Sequence, residues 1–225
     1  IWERTLRRSD VTVAYSEGFS PRPRLSFGLA LSTGHESLGE YLDIDLAPGA
    51  GIEPEDLPGR VAGNLPEGMV AQAAIWIPPG TDSLQQAVVS CSWRIEVLGA
   101  EPAAVAARVA EVLALDELPT AVDRKGSTVE LDARPAILQL EVADEESHSP
   151  VVALRPSTVL VADLATQPRS LRPAELVRAL SPDWSEGLVL RTHQWTLVDG
   201  ARHEPIPLGD DTGGATPTVH AVRAS

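Results

Sequence analysis

The chain has little cysteine and no long apolar segment. Cys91 is the one cysteine among 225 residues, so an internal disulfide and a cysteine-ligated metal or iron–sulfur site are both excluded. The five histidines lack the short paired spacing of metal ligands. No apolar run approaches the roughly 18–20 residues of a membrane-spanning helix, and the opening residues do not resemble a secretory signal. We therefore expect a cytoplasmic protein with no metal site and no cofactor in this chain.

Lysine is almost missing as well. Lys125 is the single lysine among 18 basic residues, so nearly all positive charge is on arginine, which forms two-point contacts with phosphate or carboxylate. The 32 acidic residues outnumber the basic ones and give a formal net charge of −14. The resulting field repels phosphate and excludes nonspecific nucleic-acid binding. Residues 1–27 hold more arginine than acid, so any nucleic-acid contact is expected there.

Motifs for hydrolysis and for phosphate binding are also missing. Ser16 and Ser26 have no Gly-x-Ser-x-Gly context, and no glycine-rich phosphate loop occurs. Near the amino-terminal arginines, the side chains able to act as a general acid or base are Glu17, His35 and Glu40. The sequence identifies no partner for any of the three. We therefore predict no catalytic residue and expect no catalytic activity from this chain alone.

What the chain does have is an unusual loop, SEGFSPRPRLSF, at residues 16–27. Gly18 gives the backbone freedom for a sharp turn, while Pro21 and Pro23 restrict the backbone next to the arginines. Alternation along an extended chain puts Arg22 and Arg24 on one side, about 7 Å apart. That spacing suits two phosphates or two carboxylates and predicts an anion-recognition loop.

A second interpretation of the loop stays open, in which it is a rigid connection whose arginines pair with a nearby acid such as Glu36 or Glu40. A second basic cluster, made of Arg169, Arg172 and Arg191, would form if the two halves of the chain face each other. The candidate anion-binding residues are Ser16, Glu17, Gly18, Phe19, Pro21, Arg22, Pro23, Arg24, Ser26, Glu40, Arg172 and Arg191.

Hydrophobic periodicity predicts an α+β fold with two similar halves. Helical patterns occur at 1–8, 53–66, 101–115 and 172–180, and strand-like runs lie between them. We expect two ferredoxin-like β-α-β-β-α-β units with antiparallel sheets, over 1–82 and 83–200. The first would lack its amino-terminal strand, because the chain opens directly on a helix and we expect sequence upstream of it. Residues 201–225 are rich in glycine, proline, threonine and aspartate and are predicted to be a disordered tail.

Three stretches carry a family resemblance: RTLRR at 4–8, VAYSEGFSPRPRLSFG at 13–28 and LSTGHESLGEYLDIDL at 31–46. They resemble the radical-SAM-linked family, an uncharacterised domain of unknown function, and the resemblance spans residues 1–198. It implies a radical SAM protein as partner, fused to this domain or encoded beside it, which would bring the iron–sulfur cluster. Where that family tends to have histidine and then lysine, this chain has Arg22 and Arg24. Arginine cannot shuttle a proton, so a mechanism with a base at position 22 is not expected.

Three functional hypotheses follow. The first is a noncatalytic accessory module that binds an anionic substrate, with structured RNA as a candidate, for a radical SAM partner. The second is an RNA-processing or RNA-modifying enzyme with tandem ferredoxin-like units, a comparison that depends on fold analogy alone. The third is a protein–protein adaptor whose arginine loop docks on an acidic partner. The missing catalytic group and the net charge of −14 favour the accessory module.

Overall fold

The computed structural model describes residues 1–78, 80–124, 126–143, 158–206 and 219–224. The chain divides into two compact units. Unit 1 comprises Ile1–Ser32, Glu36–Val88 and Gln194–Ser225, and unit 2 comprises Thr33–His35 and Val89–His193. The fold is of mixed α and β type, with sheets of mixed and of antiparallel strands, which confirms the predicted class at that level.

The described helices are α1 (Trp2–Arg8), α2 (Leu57–Ala62), α3 (Leu84–Ala87), α4 (Pro102–Leu113) and α5 (Pro173–Leu180). The described strands are β1 (Leu25–Phe27), β2 (Glu36–Ser37), β3 (Glu40–Ile44), β4 (Val70–Trp76), β5 (Val88–Leu98), β6 (Pro119–Arg124), β7 (Ser127–Asp132), β8 (Ile137–Val142), β9 (Thr158–Ala165), β10 (Ser185–Val198), β11 (Ala201–His203) and β12 (Val219–Ala224). No helix in these ranges is long and apolar enough to cross a bilayer.

Unit 1 contains a four-stranded mixed sheet in the order β1-β3-β12-β4. β1 pairs with β3 antiparallel, and β12 lies between β3 and β4, parallel to both. The apolar face of α1 carries Trp2 and Leu6, which are four residues apart and pack into one core with Leu42, Ile44 and Ala71 of the sheet. The polar face of α1, with its arginines, is left outside this core.

Unit 2 contains strands in the order β10-β5-β9-β8, with β9 antiparallel to both β5 and β8. β6 and β7 form a separate antiparallel hairpin. α4 and α5 contact each other, and α4 also packs on β8. Their buried side chains are at helical spacing, Val105, Val109 and Val112 on α4 and Leu176, Val177 and Leu180 on α5.

β11 and β12 lie in the stretch whose composition predicts a disordered tail. β11 pairs with the end of β10, and β12 pairs with β3 and β4. The prediction of disorder is therefore wrong for β11 and β12. Their extended geometry comes from backbone pairing with other strands, and amino-acid composition carries no information on such pairing. The intervening residues 207–218 lie outside the described part of the chain. The units also differ from the predicted division at 82/83, because 33–35 belong to unit 2 and 83–88 to unit 1.

Candidate functional site

The predicted loop is the turn of a short hairpin, formed by residues 14–24 and called here the Arg–Pro hairpin. The Ser16 N–H donates to the Arg22 carbonyl over 2.8 Å, and the Arg24 N–H donates to the Ala14 carbonyl over 2.8 Å. The Ser16 hydroxyl oxygen accepts a further bond, 3.0 Å long, from the Arg22 N–H. These bonds join residues 14–16 to residues 22–24 and close a turn over residues 17–21.

Asp45 anchors both arms of the hairpin to the end of β3. Its carbonyl accepts from the Ala14 N–H at 2.7 Å, and its own N–H donates to the Arg24 carbonyl at 3.1 Å. Its carboxylate also lies 2.9 Å from Arg24 Nε. One residue therefore bonds to both arms, which fixes the direction in which the turn leaves unit 1.

The turn presents an aromatic side chain to solvent. Gly18 has a φ of +122°, a conformation that side-chain-bearing residues rarely adopt, as the sequence predicted for this position. The next residue, Phe19, is 111% exposed, more than in an extended reference peptide. Exposing a whole phenyl ring to water forgoes the free energy that its burial would give. An exposed aromatic on a fixed turn is typical of a contact residue.

The two arginines of the hairpin differ in their partners. Arg24 forms the ion pair with Asp45, so it follows the pairing interpretation, with a different acid from the Glu36 and Glu40 considered from the sequence. Arg22 is exposed, and its guanidinium makes no ion pair with any residue in the described ranges. Arg22 is thus the guanidinium of this hairpin that is available to an external anion.

Four other predicted residues are distributed over both units. In unit 1, Ser26 is exposed on β1 opposite Asp43, and Glu40 begins β3 half-buried. In unit 2, Arg172 is exposed just before α5. Arg191 is 1% exposed, and its guanidinium carbon lies 5.4 Å from the centre of the Trp93 ring. Burial over Trp93 removes Arg191 from the surface, so a surface cluster of Arg172 and Arg191 is not formed.

A partly buried histidine–carboxylate pair occurs in unit 2. His35 Nε2 lies 3.0 Å from Glu186 Oε1, and the two side chains are 7% and 24% exposed. The rings of His35 and Trp93 are in a T-shaped arrangement, with 6.2 Å between their centres and 78° between their planes. Within the described residues, His35 Nδ1 and Glu186 Oε2 are buried without a hydrogen-bond partner. Such a pair can hold and transfer a proton.

Sequence reasoning named His35 as an acid–base candidate but missed Glu186. The two residues are 151 positions apart, and no local pattern links them. The other two acid–base candidates, Glu17 and Glu40, belong to unit 1. Among the residues the structure describes, no group of three or more His, Cys, Asp or Glu side chains could hold a metal ion.

Comparison with known proteins gives a family but no characterised relative. No curated protein and no solved structure matches the chain. Residues 1–173 match the family described as "Uncharacterized protein conserved in bacteria (DUF2344)". The match covers well over half of the chain and includes the whole Arg–Pro hairpin and His35, and it ends before Glu186 and Arg191. The chain therefore belongs to this uncharacterised family of conserved bacterial proteins.

Proposed function

We propose that this chain is a noncatalytic accessory module that binds structured RNA through the Arg–Pro hairpin for a radical SAM partner. The observation that carries the proposal is the combination, on one anchored turn, of a fully exposed Phe19 with an exposed Arg22 that forms no ion pair within the described part of the chain. Sequence-tolerant RNA binding uses aromatic rings for base stacking and guanidinium groups for phosphates. Phe19 supplies the first and Arg22 the second.

The hairpin's own bonds support binding by a preorganised element. The cross-arm hydrogen bonds and the Asp45 anchor hold the turn before any ligand arrives. A ligand that meets a fixed turn orders fewer backbone and side-chain torsions, so less affinity is lost to entropy. The net charge of −14 on the whole chain disfavours nonspecific binding of RNA over the rest of the surface.

The ferredoxin-like interpretation of the two halves belongs to this proposal. In unit 2 it is supported by the element order β5-α4-β8-β9-α5-β10 and by the strand order β10-β5-β9-β8, with β6-β7 inserted. In unit 1, β12 lies between β3 and β4, where a ferredoxin-like sheet has its first strand, but it runs parallel to both neighbours. The support is therefore stronger for unit 2.

The radical SAM partner is the part of the proposal that depends on sequence resemblance. With one cysteine this chain cannot supply the ligands of an iron–sulfur cluster. The partner would perform the chemistry, and this chain would hold the substrate. Copurification of the tagged chain with a radical SAM protein tests this part separately from RNA binding.

The test of RNA binding uses total cellular RNA fragments at two salt concentrations. The variants are Phe19→Ala and Arg22→Ala, and the matched control is Arg60→Ala, which removes an exposed arginine from α2 of the same unit. We expect Phe19→Ala to weaken binding about tenfold through lost stacking. Arg22→Ala should weaken binding and reduce its salt dependence, because one phosphate contact is gone. Arg60→Ala should bind like the unmodified protein.

Three other results would contradict the proposal. If the unmodified protein binds no RNA, the RNA assignment is wrong, and the exposed hairpin is better explained as a protein-docking adaptor. If Arg60→Ala weakens binding as much as Arg22→Ala, the contact is nonspecific. If bound RNA is cleaved or modified in a way that His35→Gln abolishes, the chain is an RNA-processing or RNA-modifying enzyme.

A further inference from the structure

A cavity of about 420 Å³ lies beside α1 in unit 1, away from the residues of the Arg–Pro hairpin. One wall is the polar face of α1, and the other is the chain that follows α2. The first wall consists of Ile1, Arg4, Thr5 and Arg8, and the second consists of residues 63–66. Its volume is in the range of small-molecule binding pockets.

Two arginines line this cavity, and none of the described residues around it is acidic. Arg4 and Arg8 are four residues apart, so both project from one face of α1. No aspartate or glutamate lines the cavity, and neither arginine forms an ion pair with another residue in the described ranges. Like charges at this spacing repel each other and destabilise a helix. An anion between them would relieve that repulsion.

The remaining arginine of α1 has a different environment. Arg7 does not line the cavity, and Glu3 stands four residues before it. A glutamate at that spacing shares a helix face with the arginine and favours it electrostatically. Arg4 and Arg8 therefore line the cavity as a pair, whereas Arg7 lies outside it on the helix face that carries Glu3, in a chain whose net charge is −14.

The second wall of the cavity is held in place by side-chain hydrogen bonds. The Thr5 hydroxyl donates to the Asn64 carbonyl at 3.1 Å, and Asn64 Nδ2 donates to the Ser9 hydroxyl at 2.9 Å. Trp2 and Leu6, on the opposite face of α1, are buried in the core of unit 1. These contacts fix the two walls relative to each other. The two arginine side chains are therefore attached to a helix whose position is fixed.

We propose that this cavity is a second anion site, independent of the hairpin, and that it binds a phosphate group. Guanidinium pairs recognise phosphate oxygens through parallel N–H···O bonds. Leu65 and Pro66 provide apolar surface beside the charges. A phosphorylated small molecule and a terminal phosphate of a nucleic acid share this chemistry.

The test is calorimetric titration of the full chain with pyrophosphate. The variants are Arg4→Gln and Arg8→Gln, which remove a charge and keep a good helix former. Arg7→Gln is the matched control, since it removes the same charge from the same helix outside the cavity. We expect at least tenfold weaker binding in Arg4→Gln and in Arg8→Gln, and unchanged binding in Arg7→Gln. Circular dichroism checks that each variant is folded.

Further titrations distinguish the two sources of the phosphate. Short oligonucleotides with a 5′-phosphate or a 5′-hydroxyl show whether a nucleic-acid end is accepted, and pyrophosphate alone represents the small-molecule case. Loss of binding in Arg7→Gln equal to that in Arg4→Gln would overturn the proposal in favour of a general charge effect. Absence of pyrophosphate binding at millimolar concentration would also overturn it. Loss of pyrophosphate binding in Arg22→Ala, with binding intact in Arg4→Gln and Arg8→Gln, would place the site at the hairpin instead. Failure of this proposal is therefore distinguishable from failure of the RNA proposal.

Discussion

At the scale of single residues, burial changes the chemistry of Tyr41. This β3 residue is 3% exposed and packs with Leu84 and Ile206. Its hydroxyl lies 3.5 Å from Glu204 Oε1. Burial raises the pKa of the Tyr41 phenol well above its usual 10.0, and the negative charges of Glu204 and then Glu40 raise it further. The phenol therefore stays protonated in the folded protein at a pH where an exposed phenol ionises.

The raised pKa of Tyr41 predicts a loss of stability in alkali. Above about pH 10 the unfolded phenol loses its proton while the folded one keeps it, so the free energy of unfolding falls as the pH rises. Tyr41→Phe should make the free energy of unfolding depend less on pH between about pH 9 and about pH 11, measured by urea unfolding.

Tyr15→Phe is the matched control, because it makes the same replacement at an exposed tyrosine of the same unit. If Tyr41→Phe had the same steep pH dependence as the unmodified protein, another group would be responsible for the alkaline loss.

Which side chains contact each other was the least predictable feature of the candidate site. That Arg24 has an acidic partner was one of the two interpretations, yet Asp45 was not the acid considered. The His35–Glu186 pair and the burial of Arg191 over Trp93 gave no sign in the sequence. Which side chain meets which depends on strand neighbours distant in the chain, and a local pattern holds no information on them.

At the scale of secondary-structure elements, local sequence patterns predicted the positions of helices well. The periodic segments 101–115 and 172–180 form α4 and α5, which begin and end within two residues of the prediction. The predicted helix at 53–66 is shorter, a 3₁₀ turn at Pro54–Asp56 and then α2, in a stretch that contains proline and glycine. The turn at Gly18 follows from glycine's freedom and was predicted from sequence.

The Arg–Pro hairpin should depend on the glycine in its turn. Gly18→Ala forces a side chain into a φ of +122°, although no atom lies within 4 Å of the added Cβ, so the cost is backbone strain of about 1–3 kcal/mol. We expect a lower free energy of unfolding and faster proteolysis of the 14–24 segment.

Gly63→Ala is the matched substitution, because Gly63 also has open space around it but has a φ of −70°. Alanine there should leave stability unchanged or raise it slightly. Equal effects of the two substitutions, measured by urea unfolding, would show that strain at Gly18 is not what fixes the turn.

At the scale of the whole molecule, the net negative charge should affect stability. The chain has a formal net charge of −14 and a sequence pI of about 4.7, so its acidic groups repel one another at neutral pH. The distance over which surface charges repel each other, the Debye length, falls from about 30 Å at 0.01 M salt to about 8 Å at 0.15 M. Raising sodium chloride across that range should therefore raise the thermal unfolding midpoint.

A charge-reduced variant checks the origin of that salt effect. Glu67→Gln with Glu117→Gln removes two exposed negative charges, one from each unit, and its midpoint should depend less on salt. A midpoint that fell with salt in the unmodified protein would mean that attractive ion pairs outweigh the net repulsion, contrary to this expectation.

Local sequence was sufficient for the features that depend on neighbours in the chain. It set the amphipathic helices, the glycine and proline restrictions of the hairpin turn, the excess of arginine at the amino-terminal end and the mixed α and β class. Tertiary structure alone decided which strand lies beside which, with β12 between β3 and β4, and which side chains meet, as His35 meets Glu186. The physical reason is range: torsional preferences and periodicity act within a few residues, whereas strand pairing and burial are settled by the free energy of the whole packed core.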